Sequence, residues 1–216
     1  YYTGDISYKN EKDYKNQIDQ ILDTMEYYNM NAMIFHIRAN HDAWYNSKIN
    51  KVNRQLSNVD FSKFDPLEYV ITEAHKRGIE FHAWMNPYRI ATRSSASSEF
   101  PELEETIPAE WVKDYNKVRI YNPALPEVRQ RIADIVADLL QKFDVDGIHF
   151  DDYFYPSLTS GESMNDNAEY QKYGSGQGIA NFRRANVDAM ITKVKETIRA
   201  VRPNCLFSVS PQGNYD

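Results

Sequence analysis

The chain has 216 residues, a formal net charge of −6 and a pI near 5.4. This length suits one domain with a real core, and the acidic balance lacks the basic footprint of a nucleic-acid binder. A single cysteine, Cys205, excludes an internal disulfide and a cysteine-built zinc site, and no apolar run reaches the roughly 18 residues of a membrane span.

Residues 11–28 place Ile18, Ile21, Leu22, Met25 and Tyr28 at helical spacing. NAMIFHIRA (31–39) follows as a strand. Residues 65–78 read as a helix with Asp65 as N-cap, Pro66 in the first turn and Gly78 as the stop. IEFHAWMNPYR (79–89) is the next strand. Residues 90–125 form the longest connection, expected to build a wall of a cleft. A helix over 126–143 begins at Pro126 and carries Val128, Ile132, Ile135, Leu139 and Phe143 on one stripe. The strand GIHFDD, a helix over 179–201 and the strand CLFSVSP (205–211) complete the series. The glycines of GSGQG (174–178) follow no strand and read as a flexible loop.

Strands separated by helices imply βαβ units and a parallel sheet. An open doubly wound sheet and a (β/α)8 barrel compete. No G-x-G-x-x-G or G-x-x-x-x-G-K-[ST] is present to support a nucleotide-binding open sheet. The strand faces favour the barrel. One face of each strand is less apolar: His36 and Arg38, then Glu80, His82, Trp84 and Asn86, then His149 and Asp151, then Ser208 and Ser210. The opposite faces hold Phe35 and Ile37, Phe81, Ala83 and Met85, Ile148 and Phe150, Phe207 and Val209. A lone strand histidine is usually structural. The same division on four strands points to a site facing a barrel interior. The fold class is therefore α/β, of the TIM (β/α)8 type. Strand starts lie roughly 50–65 residues apart, against about 30 in a minimal unit. One partial barrel domain over 1–216 is expected, its first strand reduced to Tyr1-Tyr2. No signal peptide is legible.

DGIHFDDYFYP (146–156) carries the chemistry. Ile148 and Phe150 share one face of its strand, and His149 and Asp151 the other. Buried charge is costly unless paired or used. An acid at a strand tip, followed by Tyr153, Phe154, Tyr155 and Pro156, is suited to cleaving a glycan: the carboxylate serves the bond and the rings flank the sugar. Asp151 is the first catalytic candidate and Asp152 the second. The structural alternatives are an ion pair between Asp151 and an arginine, and a cap or a partner to Arg38 or Arg89 for Asp152. His36, His82 and His149 with Asp151 could also ligate zinc. No H-x-H occurs, however, and Trp84 and Asn86 suit sugar contacts, so no metal and no cofactor are assigned.

EAHKRGIEFHAWMNPYR (73–89) and DGIHFDDYFYP (146–156) resemble the glycosyl hydrolase-like 10 family of bacterial proteins, once a domain of unknown function. PALPEVRQRI (123–132) and SVSPQGNYD (208–216) lie where that family has its PEVR and SP-x-G segments. The resemblance covers nearly the whole chain. It implies a TIM barrel, glycosidase activity, location outside the cytoplasm (secreted, periplasmic or lipid-anchored) and, in one branch, action on peptidoglycan glycan strands stripped of peptides. The matched positions are Arg38, His82, Trp84, Asn86, Tyr88, Arg89, His149, Asp151, Asp152, Tyr153 and Tyr155. Two segments depart from the pattern. His36-Ile37-Arg38 stands where the family has Gln-Val-Arg. The loop 40–56 keeps an Asp-Ala-x-Tyr core without the Pro-Trp that comes after it in the family.

The expectation is a glycosidase acting on a polysaccharide or oligosaccharide. Asp151 and Asp152 are its catalytic candidates. His36, Arg38, His82, Trp84, Asn86, Tyr88, Arg89, His149, Tyr153 and Tyr155 are its binding residues. A further catalytic carboxylate is expected on a later strand. The alternative is a carbohydrate-binding protein on a barrel that has lost its chemistry.

Overall fold

The computed structural model describes residues 6–151, 153–158, 160–174 and 176–211. Helix α1 (Glu11–Tyr27) starts where the Asn10 side chain accepts from the Asp13 N–H at 2.9 Å. It buries Tyr14, Ile18, Leu22 and Met25, one residue per turn. Strand β1 (Ala32–Arg38) comes next. Helix α2 (Pro66–Lys76) is capped by Asp65, which accepts from the N–H groups of Leu67 and Glu68. It ends at Gly78, whose φ of 69° is one that side chains disfavour. Strand β2 (Glu80–Met85) then returns to the sheet.

The expected strand over 79–89 divides into two. The last rung of β2 is the Asn86 N–H donating to Arg38 O at 2.8 Å. Pro87 has no N–H to continue the ladder, and the chain leaves the sheet. It re-forms as β3 (Arg89–Thr92), which pairs antiparallel with β5 (Val118–Tyr121). β4 (Val112–Asp114) lies on the far side of β5. The long connection over 90–125 thus contributes most of a second, three-stranded sheet, with irregular chain between its strands.

Helix α3 (Pro126–Lys142), strand β6 (Gly147–Phe150), helices α4 (Asn167–Tyr173) and α5 (Ile179–Val201) and strand β7 (Leu206–Val209) complete the chain. The GSGQG segment links α4 to α5, and its residue 175 lies outside the described residues.

The main sheet runs β1-β2-β6-β7, with every pair parallel. Spatial order matches chain order, without the reversal that defines a doubly wound sheet. This is how the wall of a (β/α)8 barrel is laid down. Residues 1–5, where a first strand was expected, lie outside the described residues.

The helix-facing side of the sheet is the core. Phe35, Phe81, Ala83, Met85, Ile148 and Phe150 are all buried there, and the rings of Phe35 and Phe81 sit 5.7 Å apart. The interior face alternates with them as expected, except at the end of β1. There His36 pairs with Trp84, but Arg38 pairs with Met85, because a bulge intervenes. Arg38 therefore falls on the helix side, among Met85, Pro87, Ile132, Ile135, Val136 and Phe150. This corrects the placement of Arg38 beside His36: one inserted residue reverses the face of the next side chains along the strand.

Candidate active site

The site lies at the C-terminal ends of β1, β2 and β6. Asp151 directly succeeds β6 and is 7% exposed. Its Oδ2 accepts from the Trp84 indole Nε1 at 3.1 Å, and its Oδ1 from the Tyr153 backbone N–H at 3.2 Å. Having an N–H donor on each oxygen suits an ionised carboxylate and helps fix its plane.

Trp84 is held in turn by its neighbours. The His36 ring stacks on it, with centroids 3.9 Å apart and planes 12° apart. The His149 ring meets it edge-on at 6.4 Å. Register produces this arrangement, since His36, Trp84 and His149 are partners on three adjacent strands. Burial, reinforced by the charge of Arg89, pushes the His36 imidazole down to about 4. His36 is therefore neutral at neutral pH. Burial and then His82 lower His149 as well. The His149 Nδ1 bonds Ser208 Oγ at 2.8 Å, so the interior face extends to β7.

His82 lies two residues before Trp84, roughly 7 Å nearer the N-terminal end of the strand. It bonds Glu80 at 3.0 Å and rests on Gly147. A Cβ on Gly147 would sit 2.3 Å from the His82 Nδ1. Glycine is required there because the imidazole occupies that space. Both His82 and Glu80 lie away from the Asp151 end.

The aromatic segment after Asp151 forms a wall. The Arg89 guanidinium lies over the Tyr153 ring, 3.9 Å from its centroid, and Tyr153 is 53% exposed. The Tyr155 hydroxyl accepts from Asn186 Nδ2 at 3.2 Å, and burial raises it to about 12. A cavity of about 250 Å³ runs between this segment and the β3–β5 pair.

Three residues expected in the cleft are inside the protein. Arg38 is buried on the helix side, its guanidinium donating to the carbonyls of Asn86 and Pro87. Asn86 is fully buried and donates to Ala39 O at 3.0 Å. Tyr88 is fully buried too, and desolvation raises its hydroxyl strongly. They brace the turn from β2 to β3, and as placed none can touch a ligand. Arg38 therefore does not steady Asp151; Trp84 does. That donor role was legible only as a shared face, without the hydrogen bond. Asp152 lies outside the described residues. Among the described residues, no group of three or more His, Cys, Asp or Glu could hold a metal ion, and no helix is long and apolar enough to cross a membrane.

The glycosyl hydrolase-like 10 family model matches residues 4–216. The chain is 35% identical over 210 residues to the glycosyl hydrolase YngK of Bacillus subtilis (strain 168), covering 94% of this chain and 41% of that one. It is 34% identical over 205 residues to the glycosyl hydrolase DigH of Escherichia coli (strain K12), covering 89% of this chain and 46% of that one. It thus spans less than half the length of these relatives. Among solved structures, it is similar to the glycoside hydrolase domain of PgaB (BpsB) from Bordetella bronchiseptica. The TM-score is 0.60 at 14% identity, over 93% of this chain and 61% of that one. It is also similar to α-L-fucosidase isoenzyme 2 from Paenibacillus thiaminolyticus, with a TM-score of 0.59 at 18% identity, over 88% and 29%. These likenesses carry the TIM-barrel fold that the strand order indicates. With that fold and a match over nearly its whole length, the chain belongs to the glycosyl hydrolase-like 10 family.

Proposed function

We propose that the protein to which this chain belongs hydrolyses glycosidic bonds in a polysaccharide, with Asp151 as a catalytic carboxylate. The observation that carries this reading is Asp151 itself. It is an acid at the C-terminal end of a barrel strand, where barrel enzymes do their chemistry. Its two oxygens are each held by an N–H donor, and exposed Tyr153 lies beside it.

A carboxylate that already accepts from Trp84 and Tyr153 is poorly placed to give up a proton. It suits attack on, or stabilisation of, the positive charge that develops at the anomeric carbon. The acid that protonates the leaving oxygen must then be another group. Asp152 is the nearest candidate in sequence, and a carboxylate on a later strand is the other. We take the glycan strands of peptidoglycan as the substrate. That polymer lies outside the cytoplasm, and so would the enzyme's work.

The test is reducing-end release from glycan strands by the full-length protein and by its Asp151→Asn form. Asparagine keeps the shape and loses the charge, so a rate loss of about a thousandfold or more is expected, with melting temperature and glycan affinity little changed. Near-normal turnover would remove Asp151 from the mechanism. Affinity for glycan with no turnover by the unsubstituted protein would instead identify a carbohydrate-binding barrel.

A further inference from the structure

Arg38 is the one buried arginine among the described residues, at 2% exposure, and none of their carboxylates pairs with it. Arg77, Arg119, Arg183 and Arg202 are all partly exposed, and each pairs with an acid. Asp42 is the acid whose field reaches Arg38, but its carboxylate is bonded to Asn53 at 2.8 Å. A buried charge without a counter-charge is strongly destabilising, and an arginine does not shed its proton to escape that cost.

The guanidinium is also only half used. Its Nη1 donates to the carbonyls of Asn86 and Pro87. Nε and Nη2 carry the two parallel N–H groups of one edge of the fork. Both are shut off from solvent, and neither has a hydrogen-bond partner among the described residues. Arg38 lines a cavity of about 10 Å³ whose other walls are Met85, Pro87, Ile132, Ile135, Val136 and Phe150. That is room for one particle the size of a water molecule or a halide. A water molecule brings two hydrogens of its own and needs acceptors for them, which six largely apolar walls supply poorly. A small anion brings acceptor capacity alone, and it supplies the missing charge.

We propose that the Nε–Nη2 edge of Arg38 holds a single small monovalent anion, chloride, enclosed between the main sheet and α3. It lies behind the sheet, out of reach of a glycan in the cleft, and is a structural ion. Through Arg38 it steadies the carbonyls of Asn86 and Pro87, at the turn that leads from β2 to β3. The inference stands independently of the glycan-cleaving reading.

The experiment melts the full-length protein in mixtures of sodium chloride and sodium gluconate at constant total concentration. Ionic strength is then fixed, and gluconate is too large for the cavity. The melting temperature is expected to climb with chloride and level off, by about 2 °C or more in all. Arg38→Met should melt alike in every mixture. Arg38→Lys keeps the charge, loses the fork and should need about tenfold more chloride for the same rise. Crystals grown with bromide in place of chloride should show an anomalous peak beside Nε of Arg38. Equal melting of the unsubstituted protein in all mixtures would overturn the site. So would a chloride effect that persists in Arg38→Met, which would put the anion elsewhere. Chloride-independent melting, with Asp152→Asn as destabilising as Arg38→Met, would overturn it too and identify a carboxylate as the counter-charge.

Discussion

The Trp84 indole donates its N–H to Asp151 across the gap between β2 and β6, at 3.1 Å. Asp151 thus depends on a side chain 67 positions away in sequence, which the stacked His36 ring holds flat. Trp84→Phe keeps the ring and removes the donor. A hydrogen bond to a charged group contributes about 1.5–3 kcal/mol. We expect kcat to fall roughly 10- to 100-fold through looser positioning of the carboxylate, with the melting temperature moving by a few degrees at most. Steady-state kinetics on the full-length protein check this. An unchanged kcat would mean that the contacts of Asp151 other than the indole suffice to hold it.

Arg38 separates two ideas about a charged residue in this family. A residue facing the cleft would weaken glycan binding when replaced and spare the fold. Buried as it is, Arg38→Ala leaves a cavity and strips the Asn86 and Pro87 carbonyls of their donor. A loss of about 3–5 kcal/mol is expected, and Arg38→Met should lose less because methionine fills most of the volume. Chemical denaturation reads both. Weakened affinity at unchanged stability would return Arg38 to the cleft.

Gly147 is required by its neighbour across the sheet. Gly147→Ala puts a methyl group 2.3 Å from the His82 Nδ1, and the ring must move or the strands must part. Overpacking of this kind costs about 1–3 kcal/mol. The double variant Gly147→Ala, His82→Ser should recover most of that loss, because the clash is the cause. Failure of the second change to rescue the first would assign the cost to the backbone of β6.

His36 gives stability a sign with pH. Its imidazole titrates near 4 in the folded protein and near 6.5 when unfolded. Between those values the unfolded chain binds the proton and the folded one does not. The contribution is therefore complete above pH 6.5, is lost as pH falls toward 4, and changes no further below. The span corresponds to at most about 3 kcal/mol. Denaturation midpoints from pH 7 to pH 4 should fall steeply in the unsubstituted protein and less steeply in His36→Phe. Parallel slopes would show that His36 titrates alike in the folded and unfolded chains, against a lowered value in the fold.

Much of this organisation was legible in the chain itself. Alternation along residues 79–85 and 147–150 assigns the two faces of the sheet, because burying charge costs more than any local preference can offset. Asp65, Pro66 and Gly78 bracket α2 because unmet N–H groups and a left-handed backbone ask for those residues. The lack of phosphate-cradling glycines spoke only against a nucleotide-binding open sheet; the strand faces favoured the barrel, and the strand order carries it.

Tertiary structure decided what depends on register and on partners distant in sequence. A bulge after His36 sends Arg38 to the helix side, and no alternation rule locates an inserted residue. The break at Pro87 turns an expected loop into a sheet, whose antiparallel pairing of Arg89 with Ile120 joins positions 31 residues apart. The donor to Asp151 was identifiable only once β2 and β6 were adjacent. Local sequence encodes which groups can be buried, and the packed fold selects which of them meet.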